Sequence, residues 1–257
     1  MTTHSPCDGE MQLKTTDEYI TKALGMSWKS KYDVFCFCFD LQAIEVPTKR
    51  SGLSAVAKIF DILGLLSPIV ITCKILIQEM WRQKLDWDEP LNLRLSNRWK
   101  QIEQSLPYIT KIEVLIFVGT HPQTTFDING FADASQLAYV CCLYIRVANK
   151  KNFKSTLLIA KSKVAPVVHQ SLPLLELRAA LLLSRTWNKL KSKFSLFNYR
   201  IFFWSDLKIV LKGLTNHSSS YVYFFANRVS EIQNLTHNII WRHVSLKLNP
   251  VDVVSRG

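Results

Sequence analysis

Hydrophobic and polar positions in the first part of the chain alternate in short blocks that predict a hairpin followed by helices. Residues 1–17 show no periodicity and are predicted to be a disordered lead-in. Two apolar runs, at 24–28 and 34–39, flank a polar turn and predict two paired strands. Helical spacing then predicts three helices, which begin near residue 49, at 69–85 and at 91–105. We therefore expect residues 18–106 to form one small hairpin-plus-helices unit.

From about residue 121 the pattern changes to longer strand-like runs, rich in β-branched and aromatic residues. The order is three strands, a long helix, one strand, two helices and a last strand. The long helix, 173–193, begins with a proline and ends among lysines, as helix termini prefer. The other elements are predicted at 126–132, 137–147, 155–163, 200–204, 207–214, 221–235 and 238–244. This order predicts a mixed α/β fold for a second domain, residues 121–257.

Composition supports two folded domains, and the charge distinguishes them. The 257 residues are 48% hydrophobic and 20% charged, which is typical of globular proteins. Residues 1–120 carry 14 basic and 14 acidic side chains, whereas residues 121–257 carry 18 basic and 6 acidic ones, so the second domain holds the whole net charge of +12. Such asymmetry favours a polyanionic partner, either nucleic acid or an acidic membrane surface, although a basic surface can also serve solubility alone.

Cysteine spacing and apolar runs restrict the location of the protein. The six cysteines form no CxxC pair, which argues against a zinc site and favours free thiols in a reducing compartment. The longest uncharged apolar run, residues 62–73, is too short to cross a bilayer, and the chain begins without a secretory signal. We therefore expect an intracellular protein that does not associate with membranes.

Four of the six acidic residues in the second domain fall where carboxylates can converge. Asp133 lies at the end of the first predicted strand, and Asp206 lies just after the fourth, where open α/β sheets place their sites. Glu176 lies near the start of the long helix, and Asp252 lies where a last helix would begin. Taken singly, each has an ordinary explanation as a helix-dipole partner or a turn former.

As an ordered set, these carboxylates resemble the catalytic residues of the ribonuclease H family. The resemblance implies a mixed sheet with flanking helices. It also assigns catalysis and metal binding to Asp133, Glu176, Asp206 and Asp252. His243, in the segment WRHV, is similar to the histidine that family members carry before the final helix.

The resemblance narrows to the polyproteins of BEL/Pao long-terminal-repeat retrotransposons. It rests on the segments FADAS (131–135), AKSKVAP (160–166), LPLLELRAALLL (172–183), ANRVSEIQ (226–233), WRHVSLKLNPVDVVSRG (241–257) and LDWDEP (85–90), and on residues 48–81. It implies that residues 18–106 are similar to the palm hairpin and thumb or connection region of a reverse transcriptase. The implied partners are nucleic acid and other parts of the polyprotein, in a cytoplasmic particle or in the nucleus.

Electrostatics explains why such a site needs metal ions. Two carboxylates about 4 Å apart repel by roughly 4 kcal/mol at an effective dielectric near 20, so a cluster requires cations. Oxygen ligands favour Mg²⁺ or Mn²⁺, and two such ions support in-line hydrolysis of the RNA strand of an RNA–DNA hybrid. We expect His243 to assist proton transfer or product release, unless it is purely structural. The surrounding basic residues expected to contact phosphates are Lys161, Lys163, Arg178, Arg185 and Lys189.

Two other hypotheses remain open. The chain lacks the YxDD segment of a polymerase, and only five residues follow Asp252, which predicts a truncated last helix and a poorly anchored fourth ligand. The chain would then be an inactive retroelement relic that only binds nucleic acid. An aspartic peptidase is the third hypothesis, because similar sequences are grouped as Pao retrotransposon peptidases. That activity needs a D-[ST]-G loop, which the sequence lacks.

Overall fold

The computed structural model describes residues 20–23, 26–37, 44–116, 118, 124–149, 152–215 and 223–257. The predicted disordered lead-in, residues 1–17, lies outside this part of the chain. The chain divides into two compact units. The N-terminal unit comprises residues 1–61 and 84–117, and the C-terminal unit comprises residues 62–83 and 118–257.

The N-terminal unit contains an antiparallel sheet of four strands in the order β1-β2-β3-β4, and two helices. The predicted hairpin is confirmed as β2 and β3, whereas the outer strands β1 and β4 were not predicted. A capping box between Thr48 and Ser51 begins the first helix, α1, and the side chain of Asn92 caps the second, α3. The elements are β1 Ile20–Ala23, β2 Met26–Lys29, β3 Val34–Phe37, α1 Lys49–Ala57, α3 Leu93–Ile109 and β4 Glu113–Leu115.

The C-terminal unit contains a mixed sheet of five strands in the order β7-β6-β5-β8-β9. The central strand β5 pairs antiparallel with β6 and parallel with β8, and β8 pairs parallel with β9. The predicted α/β class is therefore confirmed, and so is the predicted order of strands and helices along this part of the chain. The strands are β5 Phe126–Ala134, β6 Ala138–Asn149, β7 Asn152–Val164, β8 Tyr199–Ser205 and β9 Ile240–His243.

One face of this sheet is covered by helix α4, Leu172–Leu190. Its apolar residues recur at helical spacing and pack on the inward-facing residues of β5 and β6. Gly130 allows the close approach, because a Cβ atom there would lie 2.6 Å from the Phe203 ring and 2.8 Å from a methyl group of Leu183. Two further helices, α5 Lys208–Thr215 and α6 Tyr223–Leu235, pack against the other side of α4.

The opposite face is covered by α2, Ser67–Arg82, and by the short C-terminal helix α7, Asp252–Arg256. Ile71 and Ile75 of α2 pack with Val251 against apolar residues of β6 and β7. Helix α2 was predicted to be part of the unit formed by residues 18–106, but it belongs to the C-terminal unit. Its apolar face finds its partner on a sheet about 60 residues later in the chain, a separation that helical periodicity does not encode.

Backbone contacts before α2 fix its position on the sheet. The Ala160 N–H donates to the carbonyl oxygen of Leu63 at 2.7 Å, and the Lys161 ammonium donates to the carbonyl oxygen of Ile62 at 2.6 Å. Between them and the helix, Gly64 has φ +74° and lies directly against the backbone of Ala160. Among the described residues, every helix is too short or too polar to span a lipid bilayer.

Candidate metal centre

Three carboxylates meet at one edge of the five-stranded sheet. Asp133 is the penultimate residue of β5, and Asp206 directly follows β8. Because β5 and β8 are parallel neighbours, their carboxyl ends lie side by side. Glu176 enters from the N-terminal part of α4, and one carboxylate oxygen from each residue lies within 4.8 Å of the others. The convergence predicted for these three residues is therefore confirmed.

A backbone hydrogen bond holds Glu176 at the edge of the sheet. Its Oε1 accepts the N–H of Ala134, the last residue of β5, at 3.0 Å. The other oxygen, Oε2, is buried without a hydrogen-bond partner, as are Oδ2 of Asp133 and Oδ1 of Asp206. Each carboxylate therefore contributes one buried acceptor that protein groups leave unsatisfied, and such atoms are costly unless a ligand binds them.

Burial raises the pKa of all three carboxyl groups, and the charges of neighbouring carboxylates add to the rise. Burial, followed by the charges of Asp133 and Asp206, raises the pKa of Glu176 to about 9. Burial raises the pKa of Asp133 to about 6, with a contribution from Asp206. The pKa of Asp206 is also raised, mainly by burial. Without a cation the site therefore retains protons, because the folded protein disfavours three adjacent negative charges.

The fourth predicted carboxylate, Asp252, lies near this cluster but outside the group of three. Its charge helps to raise the pKa of Asp133 and of Asp206, so it acts on the site. Its Oδ1, however, accepts from Nε of Arg256 at 2.9 Å and from Nη2 at 2.8 Å. The structure therefore places Asp252 beside the site, where it forms an ion pair with Arg256, one helical turn later.

His243 is the last residue of β9, and its exposed side chain contacts Asp206. Its Nε2 donates to the backbone carbonyl oxygen of Asp206 at 3.1 Å, and its charge lowers the pKa of that residue. The register of β8 and β9 places His243 opposite Ser205, the last residue of β8. The ring is thus adjacent to the carboxylate cluster and accessible to solvent, as a proton-transfer role requires.

The predicted phosphate-binding residues occupy two different regions. Lys161 and Lys163 lie on the edge strand β7, and Lys161 uses its ammonium to hold the backbone of Ile62. Arg178, Arg185 and Lys189 lie on α4, in the helix that carries Glu176. The contact between Lys161 and the backbone of Ile62 was not predicted from the sequence. The three residues of α4 lie on the same helix as Glu176.

Asn249 is a site residue that the sequence analysis missed. Its side-chain amide is buried and donates to the carbonyl oxygen of Ala132 at 3.2 Å and, at a longer 3.5 Å, to Oδ1 of Asp133. Ser255 also bonds Asp133, which partly offsets the rise in its pKa. The only sequence signal was the position of Asn249 three residues before Asp252, since both contacts span more than 110 residues.

We expect Asn249→Ala to weaken metal binding without removing a ligand. The change removes the hydrogen bond to the Ala132 carbonyl oxygen, at a cost of about 1–3 kcal/mol, and frees Asp133 to move. Loss of such a supporting contact typically lowers metal affinity about 10- to 100-fold. Thermal unfolding with increasing Mn²⁺ measures both effects. The matched control is Asn234→Ala, which changes an exposed asparagine on α6. Equal metal affinity in the two variants would contradict the assigned role.

The donor set fits a small divalent cation. All three groups offer carboxylate oxygens, which are hard ligands that suit Mg²⁺ and Mn²⁺. Oxygens bound to one Mg²⁺ lie at most about 4.2 Å apart, twice the bond length of about 2.1 Å. The observed limit of 4.8 Å therefore requires only small side-chain adjustments. The buried unpartnered oxygens, one on each residue, supply the atoms that would bind the ion.

Comparisons with solved structures find ribonucleases H and a viral reverse transcriptase. The N-terminal ribonuclease H domain of a Mycobacterium tuberculosis protein, solved as a fusion with maltose-binding protein, is 12% identical, with TM-score 0.35, over 49% of this chain and 86% of that one. A ribonuclease H1 from compost, solved with an RNA/DNA hybrid, is 11% identical, with TM-score 0.33, over 49% of this chain and 88% of that one. A foamy viral protease-reverse transcriptase, solved with double-stranded DNA, is 12% identical, with TM-score 0.46, over 88% of this chain and 38% of that one.

Family membership rests on the sequence instead. No curated protein sequence matches the chain. The model of the Pao retrotransposon-like RNaseH-like domain matches residues 48–207, which is more than half of the chain. The matched region contains Asp133, Glu176 and Asp206, together with α2 and four of the five strands of the sheet. The chain therefore belongs to the Pao retrotransposon-like RNaseH-like domain family.

Proposed function

We propose that the C-terminal unit hydrolyses the RNA strand of RNA–DNA hybrids with two bound divalent cations. The observation that carries the proposal is the cluster of Asp133, Glu176 and Asp206, each with a buried oxygen that no protein group satisfies. Carboxylates gathered at this cost to stability are typical of functional sites. The proposed setting is retroelement reverse transcription, with other segments of a polyprotein as partners.

The residues of this site have distinct proposed roles. Asp133, Glu176 and Asp206 would hold the cations, and Asp252 is the remaining candidate ligand, once its ion pair with Arg256 opens. When bound, two such ions activate a water and stabilise the leaving 3′ oxygen. Glu176 must lose its proton first, because its raised pKa favours the neutral form at neutral pH.

His243 is proposed to exchange protons with solvent and product at the exposed side of the site. The bond from Nε2 to the Asp206 carbonyl oxygen fixes the ring beside the carboxylates and leaves Nδ1 as the nitrogen that can take up a proton. This arrangement suits a group that donates a proton to the leaving oxygen or assists release of the product.

A unit that binds nucleic acid without cutting it is the second candidate. One observation favours it: the described structure pairs Asp252 with Arg256 and leaves three carboxylates in the cluster instead of four. The peptidase hypothesis has no comparable support, because no aspartate in the sequence is followed by Ser-Gly or Thr-Gly.

Cleavage of a labelled RNA–DNA hybrid by the purified chain tests the proposal. We expect cuts in the RNA strand that require Mg²⁺ or Mn²⁺, and a loss of at least about 100-fold in rate for Asp133→Asn. The matched control is Asp127→Asn, on the same strand β5, where the aspartate pairs with Arg200. Hybrid binding without metal-dependent cleavage would establish the second candidate, and equal rates for the two variants would refute the site.

A further inference from the structure

Three arginines and one glutamate form a charged surface on α4 and α6, which we call the arginine cluster: Arg178, Arg185, Arg228 and Glu231. Arg178 and Arg185 are seven residues apart on α4 and therefore lie on one face of that helix. Arg228 and Glu231 are three residues apart on α6 and share a face in the same way. The two helices pack together, so the faces are neighbours.

A two-pronged ion pair joins the two faces. Arg185 donates from Nε to Oε1 of Glu231 at 2.6 Å and from Nη2 to Oε2 at 2.8 Å. The Arg178 guanidinium is oriented by a bond from its Nε to the side-chain oxygen of Gln170 at 2.8 Å. Within the cluster, three positive charges therefore face one negative charge.

This arrangement carries a cost for the folded protein. Burial, followed by the charges of Arg178 and Arg185, lowers the pKa of Arg228, so these two neighbours disfavour the charge on Arg228. Like charges held close together destabilise a folded chain unless an anion binds to them. Guanidinium groups bind phosphate and carboxylate oxygens with paired hydrogen bonds, and phosphate is the anion that a nucleic-acid duplex supplies.

The cluster extends toward the catalytic end of the sheet. Tyr139 interacts electrostatically with both Arg185 and Arg228. In the β5–β6 pair it lies opposite Ala134, whose N–H holds Glu176. Along the axis of α4, Arg178 lies about 3 Å and Arg185 about 14 Å beyond Glu176. The longer distance corresponds to about four nucleotides of one strand of a duplex.

We propose that the arginine cluster binds backbone phosphates of the nucleic-acid duplex that is cut at the carboxylates, as a second contact that is independent of base sequence. The inference rests on the proposed function for the identity of the duplex. It adds Arg228 as a binding residue and assigns Glu231 the opposite role, because Glu231 neutralises part of the cluster and thereby limits affinity.

Two substitutions that each remove one charge should have opposite effects on binding, and this contrast tests the proposal. Binding of a labelled RNA–DNA hybrid is measured by fluorescence anisotropy in EDTA, across a range of salt concentrations. We expect Arg228→Gln to weaken binding about fivefold to tenfold. The slope of the logarithm of the binding constant against the logarithm of the salt concentration should become shallower by about one, which corresponds to one lost phosphate contact. Glu231→Gln should instead tighten binding and steepen the slope. Arg200→Gln, which removes an arginine from the start of β8, is the matched control and should stay within about twofold of the unchanged protein.

A structural role for the cluster predicts a different result. If Arg228 and Glu231 only stabilise the helix pair, both substitutions should weaken binding together with the melting temperature, and that outcome overturns the proposal. Arg228→Lys keeps the charge but loses the paired hydrogen bonds, so it should bind more tightly than Arg228→Gln and keep the salt dependence of the unchanged protein, whereas a packing defect would persist. Binding is measured without metal, independently of cleavage. If the chain shows this binding pattern but does not cleave the hybrid when Mg²⁺ or Mn²⁺ is added, only the proposed hydrolysis is refuted.

Discussion

Glu176→Gln is expected to raise the melting temperature of the metal-free protein at pH 8 and to abolish its stabilisation by Mg²⁺ or Mn²⁺. The glutamine oxygen can still accept the Ala134 N–H, and its amide can donate to the neighbouring carboxylates. The substitution therefore removes the cost of keeping a buried carboxyl group protonated at this pH, and it keeps the local contact. The gain should be about 5 °C or more, because even 2 kcal/mol moves the melting temperature of a domain this size by about 4–8 °C.

The sign of this effect follows from the raised pKa of Glu176. The folded protein binds a proton up to about pH 9, whereas the unfolded chain releases it near the ordinary value of 4.5. Between these values the folded state holds more protons, so the free energy of unfolding falls as pH rises. Asp133 adds to the loss up to about pH 6. Metal-free protein should thus lose stability between about pH 4.5 and 9, and Glu176→Gln should remove most of this dependence.

Thermal unfolding from pH 5 to 9, with EDTA and with Mn²⁺, measures both parts of the prediction. The unchanged protein should gain stability on adding Mn²⁺, and more so at higher pH, because the cation displaces protons. Glu89→Gln, which neutralises an exposed carboxylate, serves as the control and should behave like the unchanged protein. A lower melting temperature for metal-free Glu176→Gln at pH 8 would contradict the assigned electrostatics.

Much of the carboxylate cluster could be predicted from the sequence, because the order of the strands determines which strand ends lie side by side. Asp133 and Asp206 follow apolar strands, and parallel neighbours place the residues at their carboxyl ends together. Glu176 follows from the helix that must cover the same sheet. The pairing of Asp252 with Arg256 and the support from Asn249 could not be predicted, since side-chain conformation decides both.

The fold shows the same division. Long periodic segments such as α4 and β6 were predicted within a few residues, because their apolar faces repeat many times. The three-residue strand β4 was missed, because so short a segment shows no alternation and is defined only by its pairing with β3. The placement of α2 was missed for a related reason: an apolar helix face predicts burial but does not identify the surface that buries it.

Gly64→Ala is expected to unfold much of the α2 layer. A Cβ atom at this position would overlap the carbonyl oxygen of Ala160 and lie 2.5 Å from its carbonyl carbon. Both atoms belong to the backbone of β7, so no side-chain rotation relieves the clash. The φ angle of +74° adds further strain for any residue with a Cβ atom. We expect a loss of more than about 3 kcal/mol, which lowers the melting temperature by roughly 6–12 °C.

Gly130→Ala provides a graded comparison within the same unit. There the new Cβ atom would meet the ring of Phe203 and a methyl group of Leu183, which are side-chain atoms that can move by small amounts. Overpacking of this kind costs about 1–3 kcal/mol, so Gly130→Ala should melt above Gly64→Ala. Hydrogen exchange separates the two further. Gly64→Ala should lose protection at the Ala160 N–H, which bonds Leu63, whereas Gly130→Ala should keep it. The reverse order of melting temperatures would show that α2 is not anchored through Gly64.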